Sequence, residues 1–272
     1  MKFDILTIFP EFFETPFSTG VISKAVQAGL VEINTVDIRE FSGNKHRTVD
    51  DAPYGGGGGM LMKPEPLGSA IEATRDRNTK SIVVLTSPSG ETYTDNLAAH
   101  LSEYDQIVIV CGRYEGIDDR VRTQHADMEI SIGDYILTGG EYAAAVIVDS
   151  VSRFIPGVLG NESSSVNDSF RRGLLEHPQY TRPEEYRGER VPDVLLSGNH
   201  GDIEKWRRDR SLEETFRRRE DMLDSTRLGR KDIEHIEGLK RAILPTYNVY
   251  IALVHYPVYN NRFNIITTAF TK

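Results

Sequence analysis

Two short runs of aliphatic and β-branched residues constrain the fold of this chain more than any other feature. SIVVLTSP (Ser81–Pro88) and QIVIVCG (Gln106–Gly112) are apolar almost throughout and are bounded by turn residues. A strand that is apolar on both sides needs cover on both faces, which is typical of a parallel sheet in an α/β protein. KFDILTIF (Lys2–Phe9) has the same character, and VEINTVDI (Val31–Ile38) alternates like a second strand.

Helix-like segments separate these strands. Pro10–Ala28 predicts one helix closed by Gly29 in a C-cap position, and Pro64–Arg75 predicts another. A further helix is expected between the two apolar runs, and Gly140–Phe154 has the strongest helical pattern of the chain. This βαβα order predicts an α/β fold with a parallel sheet covered by helices.

The chain changes character after residue 154. IPGVLGNESSSVNDSF (155–170) is rich in Gly, Asn and Ser and predicts a polar, mobile connection. Residues 174–244 are expected to form a smaller, mostly helical unit, and residues 245–272 a strand-rich tail that could open a further domain. The expected division is therefore 1–154, 155–173, 174–244 and 245–272.

Composition excludes several classes of protein. The 272 residues include one cysteine, Cys111, so an intrachain disulfide framework and a multi-cysteine zinc site are excluded. Cys111 is expected to be a buried strand residue, and the seven histidines show no ligand spacing. The apolar runs are too short to cross a bilayer, and no secretory leader is visible, so a cytoplasmic protein without a membrane partner is expected. The net charge of −9 argues against a protein that simply coats nucleic acid, although a local basic patch remains open.

Five consecutive glycines, Gly55–Gly59, need a reason, because each ordered glycine forfeits extra backbone entropy. A phosphate-binding Walker loop would end in GK[ST] at a helix start, but here Met60 to Pro64 follows. A dinucleotide fingerprint should follow a strand directly, whereas the charged RTVDDAPY intervenes. Neither explanation fits the run.

Three other glycine turns follow predicted strands. They are TSPSG (Thr86–Gly90), CGRYEGID (Cys111–Asp118) and SIGDYILTGGE (Ser131–Glu141). Ligands of parallel α/β sheets bind outside the carboxyl ends of the strands, so these turns could line one pocket with backbone groups, as for a purine ring. Any one of them alone is better explained as a tight turn.

One segment is strongly basic. KWRRDRSLEETFRRR (Lys205–Arg219) holds seven Lys or Arg against three Asp or Glu, with apolar residues at near-helical spacing. A solvated amphipathic helix is one explanation, and a phosphate-contacting surface is the other.

The motifs YGGGGGM, GRYEGIDDR, SIGDYILTGGE and RFIPGVLG, followed by YTRP, VPDVLLSGNH and KWR, together resemble the bacterial tRNA (guanine-N1)-methyltransferases. The similarity runs from Met1 to about Leu244, and the tail is similar to the start of an extra domain fused to some members. One position departs from the family pattern, since Gly58 stands where proline is usual.

The resemblance implies a SPOUT-like fold with a deep trefoil knot in the first domain. It also implies an obligate homodimer with active sites at the subunit interface, and methylation by S-adenosyl-L-methionine of the guanine 3′ to the anticodon (position 37). The residues it places against the donor, with the adenine held by the backbone of 132–137, are Leu85, Ser87, Pro88, Gly112, Tyr114, Glu115, Gly116, Ile132, Gly133, Asp134, Tyr135, Ile136, Leu137, Gly139 and Gly140.

Two residues align with the family's catalytic groups. Asp168 aligns with the general base that removes the guanine N1 proton, and Arg153 with the cation that stabilises charge on O6. Without the resemblance, Asp168 would be read as a helix N-cap and Arg153 as a helix C-terminal cation. The resemblance also suggests Mg2+ held by Glu115 and Asp168. The polar, mobile segment Pro156–Ser169, within the predicted linker 155–173, fits a lid that orders on tRNA binding.

The tRNA anticodon stem-loop is the expected partner. The glycine run, with Gly59, would let the main chain lie flat on the target nucleotide, while Asp50 or Asp51 pairs with guanine edges and Arg207 and Arg208 contact phosphates. Two alternatives remain. One is a catalytically silent RNA-binding module, against which the presence of both Asp168 and Arg153 speaks. The other is a nicotinamide-dependent oxidoreductase, suggested only by α/β alternation and glycines.

Overall fold

A computed structural model describes residues 1–160, 168–171, 173–224, 226 and 228–250 of the chain. These residues divide into two compact units, one that ends at Arg171 and one that follows it. Residues 161–167 of the predicted lid, and the predicted tail beyond Tyr250, lie outside the described residues.

A parallel sheet organises the first unit and confirms the predicted fold class. Its strands are β1 (Lys2–Thr7), β2 (Glu32–Asp37), β5 (Ser81–Thr92), β6 (Gln106–Cys111) and β7 (Met128–Ser131), and a separate antiparallel pair comprises β3 (Asp50–Asp51) and β4 (Leu61–Met62). The sheet order is β2-β1-β6-β5-β7, and every pairing in it is parallel. The knot that the resemblance implies stays a prediction.

Helices follow the strands of this sheet. They are α1 (Gly20–Gln27), α2 (Pro64–Thr74), α3 (Asp95–Leu101), α4 (Asp119–His125) and α5 (Glu141–Ser152), with short 3-10 turns at Pro10–Phe13 and Ile38–Phe41. The helices predicted around α2, α3 and α5 are confirmed.

The central strand β6 shows why its sequence is apolar throughout. Ile107 and Ile109 pack in one core cluster with residues of α1, α3 and α5. Val108 and Val110 pack in a second cluster with residues of α2 and α4. Because successive side chains of a strand point to opposite faces, a strand covered on both faces must be apolar at every position.

The helix predicted over Pro10–Ala28 is wrong in its first half. The structure has a 3-10 turn at Pro10–Phe13, and α1 begins only at Gly20. Pro16 lacks a backbone N–H, and Gly20 has φ +71, so neither favours a continuous helix. The helix end is confirmed, because Gly29 has φ +70 and donates its N–H to the Val26 carbonyl.

Strand β5 is longer than predicted. The sequence placed a terminating turn at Thr86–Gly90, but pairing with β7 resumes at Glu91 after a register shift. A Cβ on Gly90 would lie 2.4 Å from the Ile130 backbone nitrogen, so only glycine allows this approach. The turn is therefore a bulge within a strand.

The second unit is small. Its elements are the hairpin β8 (Glu185–Tyr186) and β9 (Glu189–Arg190), and the helices α6 (Asp193–Leu196), α7 (His200–Arg218) and α8 (Arg230–Tyr250). Its core cluster consists of Leu174, Leu212, Leu223 and Ile236. Helix α8 continues through residues 245–250, where the sequence predicted a strand-rich tail, since the β-branched and aromatic residues that favoured a strand are also tolerated in helices.

Candidate active site

A cavity of about 680 Å³ lies at the bulge of β5, at the carboxyl end of β6 and beside the end of β7. All three predicted glycine turns contribute to its wall. The predicted donor-binding residues that line it are Leu85, Ser87, Pro88, Gly112, Tyr114, Glu115, Gly116, Ile132, Gly133, Tyr135, Ile136, Leu137, Gly139 and Gly140. Asp134 belongs to the same loop but is not part of the lining.

The backbone itself joins the walls of this cavity. Gly140 donates its N–H to the Gly112 carbonyl over 2.9 Å, and Arg113 forms an antiparallel bridge with Gly139. A Cβ on Gly140 would lie 2.1 Å from Thr86 Oγ1 and 2.8 Å from the Cys111 Cα atom. Gly140 is therefore required for the packing of the three turns against one another.

The loop 132–139 offers free backbone groups to a ligand. The N–H groups of Ile136 and Leu137 donate to no acceptor in the described part of the chain. The Ile136 side chain is 79% exposed, and Tyr135 and Leu137 are also exposed. Apolar side chains and unpaired backbone donors at the mouth of a cavity are typical of a ligand-binding loop.

Several charged residues line the cavity that the sequence did not single out. They are Arg113, Asp119, Arg122 and Glu129. Arg122 pairs with Asp119, Glu129 accepts a hydrogen bond from Ser89, and Arg113 pairs with the buried Glu141. Arg113, Asp119 and Arg122 lie in or beside the motif GRYEGIDDR, but a motif does not reveal which of its side chains pair.

The glycine run lies in the connection between β3 and β4. Four glycines of the run have positive φ: Gly55, Gly56, Gly57 and Gly59. Gly58 does not, so its φ is not in the region that excludes the proline usual at this position in the family. A Cβ on Gly59 would lie 2.4 Å from Glu115 Cγ, but one on any other glycine of the run would meet nothing within 4 Å.

The base of this loop is attached to the cavity wall. Glu115 donates its N–H to the Met60 carbonyl, and the Met62 N–H donates to the Gly116 carbonyl, each over 3.0 Å. Asp50 lies half-buried in β3, and the exposed Asp51 accepts a hydrogen bond from the Ala52 N–H. The structure thus brings the glycine run to Glu115, and the guanine-pairing role of Asp50 stays a prediction.

Asp168 and Arg153 are brought together. Arg153 caps the C-terminus of α5, and its Nη2 forms an ion pair with Asp168 Oδ2. Asp168 is not a helix N-cap, because residues 168–171 form turns. Arg171 ties this segment to the first unit through Asp95 at 3.2 Å and through the ring of Phe154. Neither Asp168 nor Arg153 lines the cavity of its own chain.

The basic helix α7 is crossed by ion pairs. Arg207 pairs with Glu204 at 2.9 Å within the helix. Arg208 donates from Nε and Nη2 to Asp232, at 3.2 and 2.8 Å, and so joins α7 to α8. These bonds hold the pKa of Asp232 below its usual value. Of the two arginines predicted to contact phosphates, Arg208 already has a structural partner.

Cys111 is a fully buried residue of β6, as predicted. Burial raises the pKa of its thiol, so the reactive thiolate is disfavoured. Across the described ranges, no helix has the length and apolar character needed to span a membrane.

Comparison with known proteins identifies the family of this chain. The family model for tRNA (Guanine-1)-methyltransferase TrmD matches residues 1–225. The chain belongs to this family. Membership in a family of methyltransferases rules out the nicotinamide-dependent oxidoreductase, and it implies tRNA as substrate and S-adenosyl-L-methionine as methyl donor.

Curated relatives carry the same family name. A tRNA (guanine-N(1)-)-methyltransferase of Citrifermentans bemidjiense is 53% identical over 232 residues, covering 85% of this chain and 93% of the relative. One of Geobacter sp. strain M21 is 53% identical over 242 residues, covering 89% and 97%. One of Dehalococcoides mccartyi is 51% identical over 240 residues, covering 88% and 97%.

Proposed function

We propose that this protein transfers a methyl group from S-adenosyl-L-methionine to N1 of the guanine 3′ to the anticodon of tRNA, position 37. The observation that carries the proposal is the meeting of three glycine-bearing segments, the β5 bulge and the turns after β6 and β7, around one cavity. Family membership supplies the reaction class, and the paired Asp168 and Arg153 supply the groups that this reaction needs.

The cavity fits the proposed donor. Its volume of about 680 Å³ lies within the usual range of small-molecule sites. The free N–H groups of Ile136 and Leu137 suit the acceptor nitrogens of an adenine, and the carboxylate of Glu115 suits a positively charged sulfur. When bound, the donor supplies a methyl group on a sulfonium.

The chemistry at guanine requires a base and a cation. Guanine N1 carries a proton, and Asp168 accepts it, so that the nitrogen lone pair can form the new bond to the methyl carbon. The carbon–sulfur bond breaks as that bond forms, and its electron pair stays on sulfur. Arg153 stabilises the negative charge that builds on O6. The ion pair between Arg153 and Asp168 holds both side chains together before the guanine of the tRNA binds.

We propose a homodimer in which each cavity faces Asp168 and Arg153 of a second copy. Two observations support this arrangement. In one chain these residues do not line the cavity. On α5, whose C-cap is Arg153, Tyr142 is 59% exposed although it packs edge-to-face on Phe12, and Val146 is 44% exposed. These two side chains one turn apart therefore leave apolar surface that a second copy could cover.

The magnesium site suggested for Glu115 and Asp168 is not formed within the described part of the chain. No group of three or more His, Cys, Asp or Glu side chains is arranged there to hold a metal ion. Glu115 lines the cavity, whereas Asp168 pairs with Arg153. Magnesium binding by Glu115 and Asp168 stays a prediction, because the proposed dimer would bring Asp168 of a second copy to the cavity that Glu115 lines.

The tRNA partner is proposed to present its anticodon stem-loop with the target base unstacked, since RNA loops are read as splayed bases. Support comes from the glycine run, which places bare backbone beside Glu115. The exposed cations of α7 are the proposed phosphate contacts. Arg207 is more available for this than Arg208, because Arg207 pairs only within its own helix whereas Arg208 joins α7 to α8.

The direct test is methyl incorporation into tRNA transcripts with guanine or adenine at position 37, followed by nucleoside analysis. We expect 1-methylguanosine only with the guanine transcript. Asp168→Ala is expected to abolish turnover, because nothing accepts the N1 proton, while donor affinity stays nearly unchanged.

Two results would contradict this. If Asp168→Ala keeps activity within about tenfold of wild type, the base lies elsewhere. If the wild-type protein binds the donor but methylates no tRNA, the chain is the catalytically silent RNA-binding module instead.

A further inference from the structure

Arg113 has no role in the proposed chemistry, yet its side chain makes contacts with several segments of the first unit. Its Nε donates to Glu141 Oε1 over 3.1 Å, its Nη2 lies 2.9 Å from Glu141 Oε2, and its Nη1 donates to the Thr138 carbonyl over 3.1 Å. The guanidinium also lies over the ring of Phe9, 4.5 Å from its centroid. One side chain thus joins three segments of the first unit: the end of β1, the turn after β6, and the loop before α5.

Glu141 is an unusual residue to bury. It is the first residue of α5, it is 1% exposed, and it also accepts a hydrogen bond from Thr7 Oγ1 over 2.8 Å. A buried carboxylate is retained only where cations and donors compensate the loss of water. Oε1 carries both directed hydrogen bonds, whereas Oε2 has only the ion-pair contact with Arg113.

The pair lies between two walls of the donor cavity. Arg113 belongs to the turn that carries Tyr114 and Glu115, and Thr138 belongs to the loop that carries Ile136 and Leu137. A Cβ on Gly139 would lie 2.1 Å from Arg113 Nε, so the guanidinium fills the space next to that loop.

We propose that Arg113 and Glu141 are positioning residues that hold the loop 132–139 against the turn 112–116 in the geometry that binds the methyl donor. The inference rests on the proposed function, because it takes this cavity as the donor site. Neither residue takes part in proton transfer. The exposed loop 132–139 would otherwise depend on the Gly140–Gly112 hydrogen bond and the bridge at Gly139 for its position.

The first unit offers a matched control. Arg75 also forms an ion pair between two segments, at 2.9 Å from Asp127, and it bonds to Ser81. This pair lies at the amino ends of β5 and β7, the edge of the sheet opposite the cavity. A general loss of rigidity would appear in Arg75→Lys as well, whereas a loss of positioning would not.

The experiment compares Arg113→Lys, Glu141→Gln, the double variant and Arg75→Lys. Calorimetry gives the Kd for S-adenosyl-L-methionine, steady-state kinetics give kcat and KM for donor and tRNA, and thermal unfolding gives Tm. We expect each single variant to raise the donor Kd by about tenfold, with kcat at saturating donor and the KM for tRNA within about threefold of wild type. The donor Kd of the double variant should be no higher than that of the weaker-binding single variant, since the two residues act as one unit.

Thr7→Val is the milder variant if Glu141→Gln does not fold, because it removes no charge. It removes only the hydrogen bond that Thr7 donates to Glu141 and the one that it accepts from the Phe9 N–H. It should raise the donor Kd in the same direction. Unchanged donor Kd in both Thr7→Val and Arg113→Lys would overturn the inference, and so would an equal rise in Arg75→Lys. If instead the wild-type protein binds no donor, the proposed function itself fails.

Discussion

Glycines that look alike in the sequence have different structural roles in this chain. Gly140 is required by the packing of three turns, Gly90 by the approach of the Ile130 backbone, and Gly59 by the side chain of Glu115. Gly55 to Gly57 face open space but have positive φ. The glycines predicted irregular backbone at these positions, although Gly90 lies in a bulge within β5 and not in a terminating turn. They could not predict which neighbour each glycine makes room for, because that depends on tertiary contacts.

Gly59→Ala tests the contact between the glycine run and Glu115. An alanine there has an unfavourable φ of +79, and its Cβ would displace the Glu115 side chain. We therefore expect kcat/KM for tRNA methylation to fall by about tenfold or more. A tenfold fall corresponds to about 1.4 kcal/mol of lost transition-state stabilisation.

Gly58→Ala is the neighbouring control, because its φ is not positive and a Cβ meets nothing within 4 Å. It should leave kcat/KM for tRNA methylation and the melting temperature unchanged. Equal effects of the two variants on kcat/KM would contradict a specific requirement for glycine at position 59 beside Glu115.

At the scale of elements, the sheet was predictable because its strands are apolar on both faces. β6 is the clearest case, with alternate residues in two separate clusters. The errors have local causes: Pro16 and Gly20 break the predicted first helix, and a bulge at Thr86–Gly90 prolongs β5. The cavity turns after β6 and β7 were also predictable, since each follows a strand. The Arg113–Glu141 pair was not, because its members are 28 residues apart and no spacing rule joins them.

Two arginines of α7 are expected to differ in role: Arg208 joins α7 to α8, and Arg207 is the proposed phosphate contact. Arg208→Gln leaves Asp232 without its bidentate partner, so we expect a loss of about 1 kcal/mol of unfolding free energy at pH 7, since solvent partly screens the pair. Because Arg208 lowers the pKa of Asp232, this stabilisation is present above the ordinary aspartate pKa and is lost as the pH falls through the lowered value. Urea unfolding at pH 7 and at about pH 2 should show the difference from wild type disappearing in acid.

Arg207→Gln is the matched variant, since its partner Glu204 lies on the same helix. It should leave stability unchanged and lower the slope of log affinity for tRNA against log salt by about 1. An unchanged slope would mean that Arg207 is ordinary solvated surface, and equal stability losses in both variants would contradict the structural role of Arg208.

At the scale of the whole molecule, the central claim is that one copy of the chain holds the donor while Asp168 and Arg153 of another act on guanine. The single chain separates the two sets of residues, because the cavity is lined without Asp168 or Arg153. Sequence could name both sets through the resemblance. It could not show their separation, which follows from where α5 ends and where the turns meet.

Complementation between two inactive variants tests this claim most directly. Asp168→Ala keeps an intact cavity, and Leu137→Asp places a charge in the cavity wall but keeps Asp168. After co-refolding in equal amounts, half of a population of twofold dimers would be mixed and would hold one complete site, so tRNA methylation should recover to about a quarter of wild type. Activity no greater than the sum of the two variants measured separately would contradict the account.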